Sequence, residues 1–294
     1  MRFEGIIPAV TTPFTAADEV DVAALKENVE ALVEAGVHGF VATGTMGEAG
    51  SLTREERAVV VRAVVEAAAG RVPVTVGVSS GSARQSLEYA LDGAAAGAQY
   101  VMALPPLGYR ADDDEIVAFY ASLATCGLPV MAYNNVEASG VDLPASLIAR
   151  VYAEVDGVVA IKECSGDARR IPELIRLAPE LEVIVGGDNW AFEGLATGAV
   201  GWITGVGVVA PRETVDLYNL IHDNDLEAAR ALYARLRPLA DFDMTPKLVQ
   251  YYKDAQDAVG LVGGPTRAPR LPLNAGEKQR LAEALETLKE TVAA

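Results

Sequence analysis

The sequence predicts an α/β fold, a (β/α)8 TIM barrel followed by a C-terminal helical extension. Three observations predict it. Short, β-branched apolar runs recur eight times over the first two-thirds of the chain. Their starts lie roughly 18–33 residues apart, room for a strand, a loop and a helix in each unit. Most runs are apolar throughout rather than alternating, as parallel strands covered on both faces are. A doubly wound open sheet is the other arrangement that such units allow.

Strands are expected at residues 6–10, 39–43, 72–77, 100–104, 130–134, 158–162, 183–187 and 201–204. After the first, Val22, Leu25, Val29, Leu32 and Val33 share one helical face, with Asp21 as N-cap and Gly36 as stop. Thr53 and Glu56 have the Thr-x-x-Glu spacing of a capping box before Val59, Val60 and Val64, and Gly70 ends that helix. Asp112, Asp113, Asp114 and Glu115 place negative charge where a helix N-terminus favours it. Pro144 suits a first helical turn. Beyond Pro211 no further strand is expected. Helices are expected at 217–221, 226–236, 247–259 and 277–292, with a Gly/Pro-rich connector at 260–272. The first of these completes the barrel as its eighth helix. The chain thus divides into a catalytic barrel, 1–224, and a helical extension, 225–294.

Composition removes several classes of function. A chain of 294 residues, 51% hydrophobic and 22% charged, is neither disordered nor a small disulfide-stapled domain. Two Cys suggest a reducing compartment, and two His leave little material for a His-based metal site. A net charge of −17 disfavours a broad nucleic-acid-binding face. It says little about a small anionic substrate, which senses the local field. The N-terminal residues carry no signal-peptide pattern, and no apolar run approaches the roughly 18 residues that span a bilayer. A cytoplasmic enzyme without membrane contact is the expectation.

In such barrels the active site gathers at the C-terminal strand ends. There stand Thr43-Gly44-Thr45-Met46-Gly47-Glu48, Tyr133-Asn134-Asn135, Ile161-Lys162-Glu163-Cys164, Gly186-Gly187-Asp188-Asn189 and Ile203-Thr204-Gly205. Lys162 is the outlier, a lysine closing an apolar strand. Either its stem lies along apolar surface with the ammonium in water, or it is used. Burial in a barrel mouth is expected to depress its pKa, and a neutral amine attacks a ketone to give a Schiff base that serves as an electron sink. Tyr133, on the adjacent strand, either carries protons or is a half-buried aromatic. Backbone N–H groups of the Gly44–Gly47 loop and the Thr45 hydroxyl can hold an anion, although a plain turn is equally consistent with the segment alone. The loop lacks the Gly-Lys-Ser/Thr ending of a nucleotide-binding P-loop. Cys164, His38 and His222 read as structural residues.

Together, Gly44-Thr45-Met46-Gly47-Glu48, Tyr133-Asn134 and Ile161-Lys162-Glu163 resemble the dihydrodipicolinate synthase / N-acetylneuraminate lyase family over nearly the whole chain. That resemblance implies a class I, Schiff-base-forming barrel acting on 2-oxo acids as a tetramer, with no metal or organic cofactor. It implies Lys162 as the Schiff-base lysine, Tyr133 as proton shuttle, and Thr45 as carboxylate ligand and relay. Gly44, Met46, Asn134, Gly187 and Ile203 are the implied substrate-binding positions.

The sequence also departs from the synthase pattern. Met46 replaces a second Thr, no Arg follows Tyr133-Asn134, and Leu107 stands near a relay Tyr, with Tyr109 close in sequence. These departures argue against 4-hydroxy-tetrahydrodipicolinate synthase activity. Tyr133-Asn134-Asn135, Lys162-Glu163-Cys164-Ser165-Gly166-Asp167, Gly201-Trp202-Ile203-Thr204-Gly205 and Pro265-Thr266-Arg267-Ala268-Pro269-Arg270-Leu271 resemble the 1-pyrroline-4-hydroxy-2-carboxylate deaminases of hydroxyproline breakdown. The 2-keto-3-deoxy sugar-acid dehydratases and aldolases share much of this pattern. A binding or regulatory barrel without chemistry is the non-enzymatic alternative. Arg169 reads either as a contact to a distal substrate group or as part of a solvated helix face.

Overall fold

In the computed structural model, which describes residues 3–289, eight parallel strands form one sheet in the order β1-β8-β7-β6-β5-β4-β3-β2. They are β1 Gly5–Pro8, β2 Phe40–Ala42, β3 Val74–Gly77, β4 Tyr100–Ala103, β5 Val130–Asn134, β6 Val158–Glu163, β7 Glu182–Val185 and β8 Gly201–Thr204. A parallel bridge from Ala9 to Val41, just beyond β1, closes the sheet on itself. The fold is a TIM barrel, and the open-sheet alternative falls with that closure. Most observed strands are shorter than the apolar runs that mark them. The run ends leave the ladder to build the mouth: Thr43 adopts φ +53°, and Gly186-Gly187 follow β7.

The local signals act as their chemistry dictates. Asp21 accepts from the Ala24 N–H (3.0 Å) at the start of the helix Val22–Glu34, and Gly36 follows its end at φ +91°. The Thr53–Glu56 capping box closes in both directions, 2.8 and 3.2 Å. Asp112 and Glu115 form a second box at the head of the helix Asp113–Ala124. Pro144 is the N-cap of Ala145–Glu154 rather than part of its first turn.

The eighth barrel helix is Pro211–His222. The next, Leu226–Ala240, runs through Pro238 and beyond the end expected at 236. So close to the helix end the missing N–H forfeits one hydrogen bond, and Leu239 and Ala240, both fully buried, favour continuation. A short 3-10 turn, Asp241–Met244, then leads to the helices Leu248–Ala258 and Ala275–Lys289. Residues 290–292 of the last expected helix, like Met1 and Arg2, lie outside the described residues. No helix among the described residues is long and apolar enough to cross a membrane.

The extension shares one hydrophobic core with the barrel. Polar groups fasten it at the mouth. Asp188, fully buried after β7, accepts from the Trp202 Nε1–H, the Gly205 and Val206 N–H groups and the Tyr252 hydroxyl (2.9 Å), while the Tyr233 hydroxyl donates to its carbonyl (2.8 Å). Lys253, also fully buried, reaches Glu48 at 3.0 Å.

Candidate active site

The β5–β6 register sets Tyr133 beside Lys162 and Asn134 beside Glu163. In a parallel pair, partners in register project from the same face. Lys162 is 8% exposed and Tyr133 5%. The lysine Nζ stands 4.2 Å from the centroid of the tyrosine ring, whose face attracts a cation. Both line a cavity of about 460 Å³ in the barrel mouth, together with Gly44, Thr45, Met46, Gly187 and Ile203. The structure thus brings seven of the eight expected positions to one cavity.

Glycines make room for the lysine. A Cβ at Gly186 would fall 2.6 Å from the Lys162 Cε and closer still to the Cys164 Sγ. A Cβ at Gly187 would overlap the Trp190 indole. Thr43 and Glu48, both in the left-handed region, curl the intervening loop, and the Thr12 hydroxyl ties Gly47 O at 2.8 Å. Among the described residues, no protein acceptor takes the Thr45 and Met46 N–H groups. Two such groups on a tight loop form an anion-accepting concavity.

Asn134 is placed elsewhere than expected. It is fully buried and is not part of this cavity's wall: its Nδ2 donates to Glu163 (3.0 Å) and Asp142 (3.3 Å), and its Oδ1 accepts from the Leu143 N–H (2.9 Å). With every polar atom engaged, it braces β5 against β6. Asn135 lines the cavity instead, donating from Nδ2 to the Tyr133 Oη at 3.0 Å. The doubled Asn in the sequence was the available signal. Cys164, expected only to pack, lines the cavity, while Arg169 is exposed and paired with Asp167 (2.7 Å). Tyr109 is 49% exposed and is not part of the cavity wall. His38 accepts from the Ile6 N–H (3.1 Å), a structural role.

The charge state of the lysine also differs from expectation. Burial draws the Lys162 ammonium down, but the Tyr133 phenol, the Cys164 thiol and the Asp243 carboxyl outweigh it, and its pKa lies above the ordinary lysine range. Attack needs the neutral amine, so a proton must leave the Lys162 ammonium before the nitrogen bonds to carbon. Burial holds the Tyr133 phenol above its usual range and pushes the Cys164 thiol up to about 12. Asp243 was missed altogether. It comes from the 3-10 turn of the extension, where no periodicity points to a catalytic wall.

An inward lysine beside a tyrosine, under an anion-accepting loop in a TIM-barrel mouth, defines a lyase of the class I aldolase type. Residues 2–288 match the dihydrodipicolinate synthetase family, and the chain belongs to that family. It is 33% identical over 292 residues to the 4-hydroxy-tetrahydrodipicolinate synthase of Archaeoglobus fulgidus, covering 98% of this chain and 99% of that one. It is likewise 33% identical to an uncharacterized DapA-like lyase of Rhizobium meliloti, covering 98% and 96%. The dihydrodipicolinate synthase of Acinetobacter baumannii complexed with pyruvate superposes with a TM-score of 0.92 at 28% identity, over 98% of this chain and 99% of that one.

Proposed function

We propose that the protein is a 1-pyrroline-4-hydroxy-2-carboxylate deaminase. The observation that carries the reading is the charge of the cavity wall. Lys162 is its only cation among the described residues, and beyond Tyr133 the wall turns acidic with Glu137 and Asp243. A second substrate carrying its own carboxylate, as the synthase reaction requires, would meet no further cation in this cavity; Arg57 and Arg270 line an adjoining one across Thr45 and Tyr133. A substrate with one carboxylate for the Thr45–Met46 amides, and a neutral or ammonium-bearing far end, suits both ends.

In this reading the Lys162 nitrogen adds to C2 of the cyclic imine, and the C2–N1 bond breaks to leave a Schiff base and an open chain ending in an amine. Loss of a C3 proton gives an enamine that expels the 4-hydroxyl as water. The new double bond migrates to C5, water adds there, and ammonia leaves. A second water releases 2,5-dioxopentanoate and restores the lysine. One water is lost and two are consumed, so the sum is substrate plus one water giving product plus ammonia.

The test is an assay panel of pyrroline-hydroxycarboxylate, 2-keto-3-deoxy sugar acids, and pyruvate with aspartate semialdehyde. Preferred turnover of the first supports the reading, and efficient turnover of either other set overturns it. Borohydride with a 2-oxo acid should leave a reduced adduct on Lys162; an unmodified peptide would favour the binding barrel. A cofactor-independent homotetramer in the cytoplasm completes the proposal on the strength of the family resemblance, and light scattering reads the assembly directly.

A further inference from the structure

Asp243 stands where a second proton-transfer group is needed. Its 3-10 turn brings Met244, Thr245 and Pro246 over the barrel mouth and sets the half-buried carboxyl in the same wall as Lys162 and Tyr133. One oxygen, Oδ2, accepts from the Asp188 N–H at 3.2 Å. Asp188 is itself immobilised by Gly205, Val206, Trp202 and Tyr252, so that anchor is rigid. Among the described residues no protein donor takes the other oxygen, Oδ1. The carboxyl is therefore held at one oxygen and open at the other.

Asp243 and the Lys162 Nζ face one cavity without a direct ion pair, and we propose that Asp243 is a catalytic acid–base group that accepts the Lys162 proton through the group bound between them as the amine attacks, and passes it to the group that departs from C2. The inference rests on the Schiff-base reading above, but not on the identity of the substrate. With a cyclic imine, the N–C2 bond forms as the proton moves to Asp243, and the ring nitrogen receives it as the C2–N1 bond breaks. With a 2-oxo acid the same proton goes to the carbinolamine hydroxyl, which leaves as water. Lysine ammonium plus ketone gives protonated imine plus water, and no other reactant is required.

The other groups of the wall suit this step less well: Glu137, the second carboxylate, is exposed. Burial holds the Tyr133 phenol above its usual range, and the Cys164 thiol sits at about 12, so neither is an available base near neutrality. Asp243 is pushed up to about 7, first by burial and then by the Asp188 carboxyl, against the opposing pull of its Asp188 N–H bond and of Lys162. Glu137 adds a smaller upward push, while the Tyr252 hydroxyl is engaged with Asp188. A group that titrates near the working pH is available in both forms.

The experiment follows adduct formation on Lys162 with pyruvate, quenched with borohydride at successive times between pH 5 and 9, for the wild type, Asp243→Asn and Asp243→Glu. In the wild type the rate should rise through pH 7. Asp243→Asn should slow adduct formation about 10²-fold and lose that inflection while reaching the same final extent. Asp243→Glu should recover the inflection and part of the rate. A purely structural role would change the final extent of adduct but leave the inflection, and that result overturns the proposal. So does an Asn variant that keeps the wild-type rate and profile. Should Asn not fold, absence of the inflection from both the wild type and the Glu variant overturns it as well. No adduct in the wild type would instead overturn the Schiff-base reading itself.

Discussion

Three side chains and one missing side chain shape the proposed reacting centre. Lys162 was legible because a lysine in an apolar strand needs a reason, and Tyr133 because the strands containing both were recognisable. The space around them was not legible, since it depends on which atoms meet across β6 and β7. Gly186→Ala tests it. The new Cβ must displace the lysine stem or the Cys164 thiol. Because angstrom-scale misplacement of a reacting atom costs on the order of 10²-fold, kcat should fall by about that factor while far-UV circular dichroism stays native. Tyr133→Phe should lower kcat by roughly 10²–10³-fold and leave adduct formation detectable. Asp243 couples function to stability. Its folded pKa, about 7, lies above the unfolded carboxyl value. The folded state therefore binds more protons across the window from about 4 to 7, and stability falls as pH rises through it. Asp243→Asn should accordingly stabilise the protein at pH 8 by about 1–2 kcal/mol, after screening through the open cavity, with the gain shrinking toward pH 4. Chemical denaturation at the two pH values reads the difference.

The Gly44–Gly47 loop shows how one element is built from distant chain. Its sequence marks a turn, yet its curl is held by Glu48, a fully buried carboxylate in the left-handed region. Glu48 Oε1 meets Lys253 at 3.0 Å; Oε2 accepts from the Arg267 N–H (3.1 Å) and lies 3.4 Å from Arg270. Lys253 also donates to the carbonyls of Thr12 (2.8 Å) and Pro265 (2.6 Å). The helix Leu248–Ala258 and the connector after it are therefore a strap across the substrate loop. The Gly-Thr-Met-Gly-Glu motif was visible in sequence; its fastening was not, because the partners lie some two hundred residues away and carry no shared pattern. Lys253→Met removes one partner of a buried pair and should destabilise by about 3–5 kcal/mol. Paired with Glu48→Gln it should recover part of that loss, since no buried charge is left without its lysine at Oε1. Urea unfolding of the single and double variants measures both, and KM for the 2-oxo acid should rise, because the loop's amides hold the carboxylate.

At the scale of the whole molecule, the strand count and spacing were enough to predict a barrel, and the change of pattern near residue 224 was enough to predict a helical extension. What that change marks is a change of periodicity, not a boundary in energy. The extension supplies Asp243 to the cavity and Lys253 to the loop. It also supplies Tyr233 and Tyr252 to Asp188, and its Leu236 and Leu239 are fully buried. Cutting the chain at that point would strand the buried Glu48 carboxylate, remove the Tyr252 hydroxyl from Asp188 and open an apolar face. Cooperative unfolding of barrel and extension follows from this arrangement. The two tryptophans, Trp190 and Trp202, sit at the mouth after β7 and within β8, so their fluorescence reports the barrel; the extension is mainly helix and contributes to far-UV circular dichroism. The two signals should move together through one denaturant transition with a common midpoint. Separate midpoints, with helix lost before tryptophan burial, would show the extension to be an independent unit and would remove the structural basis for its part in the active site.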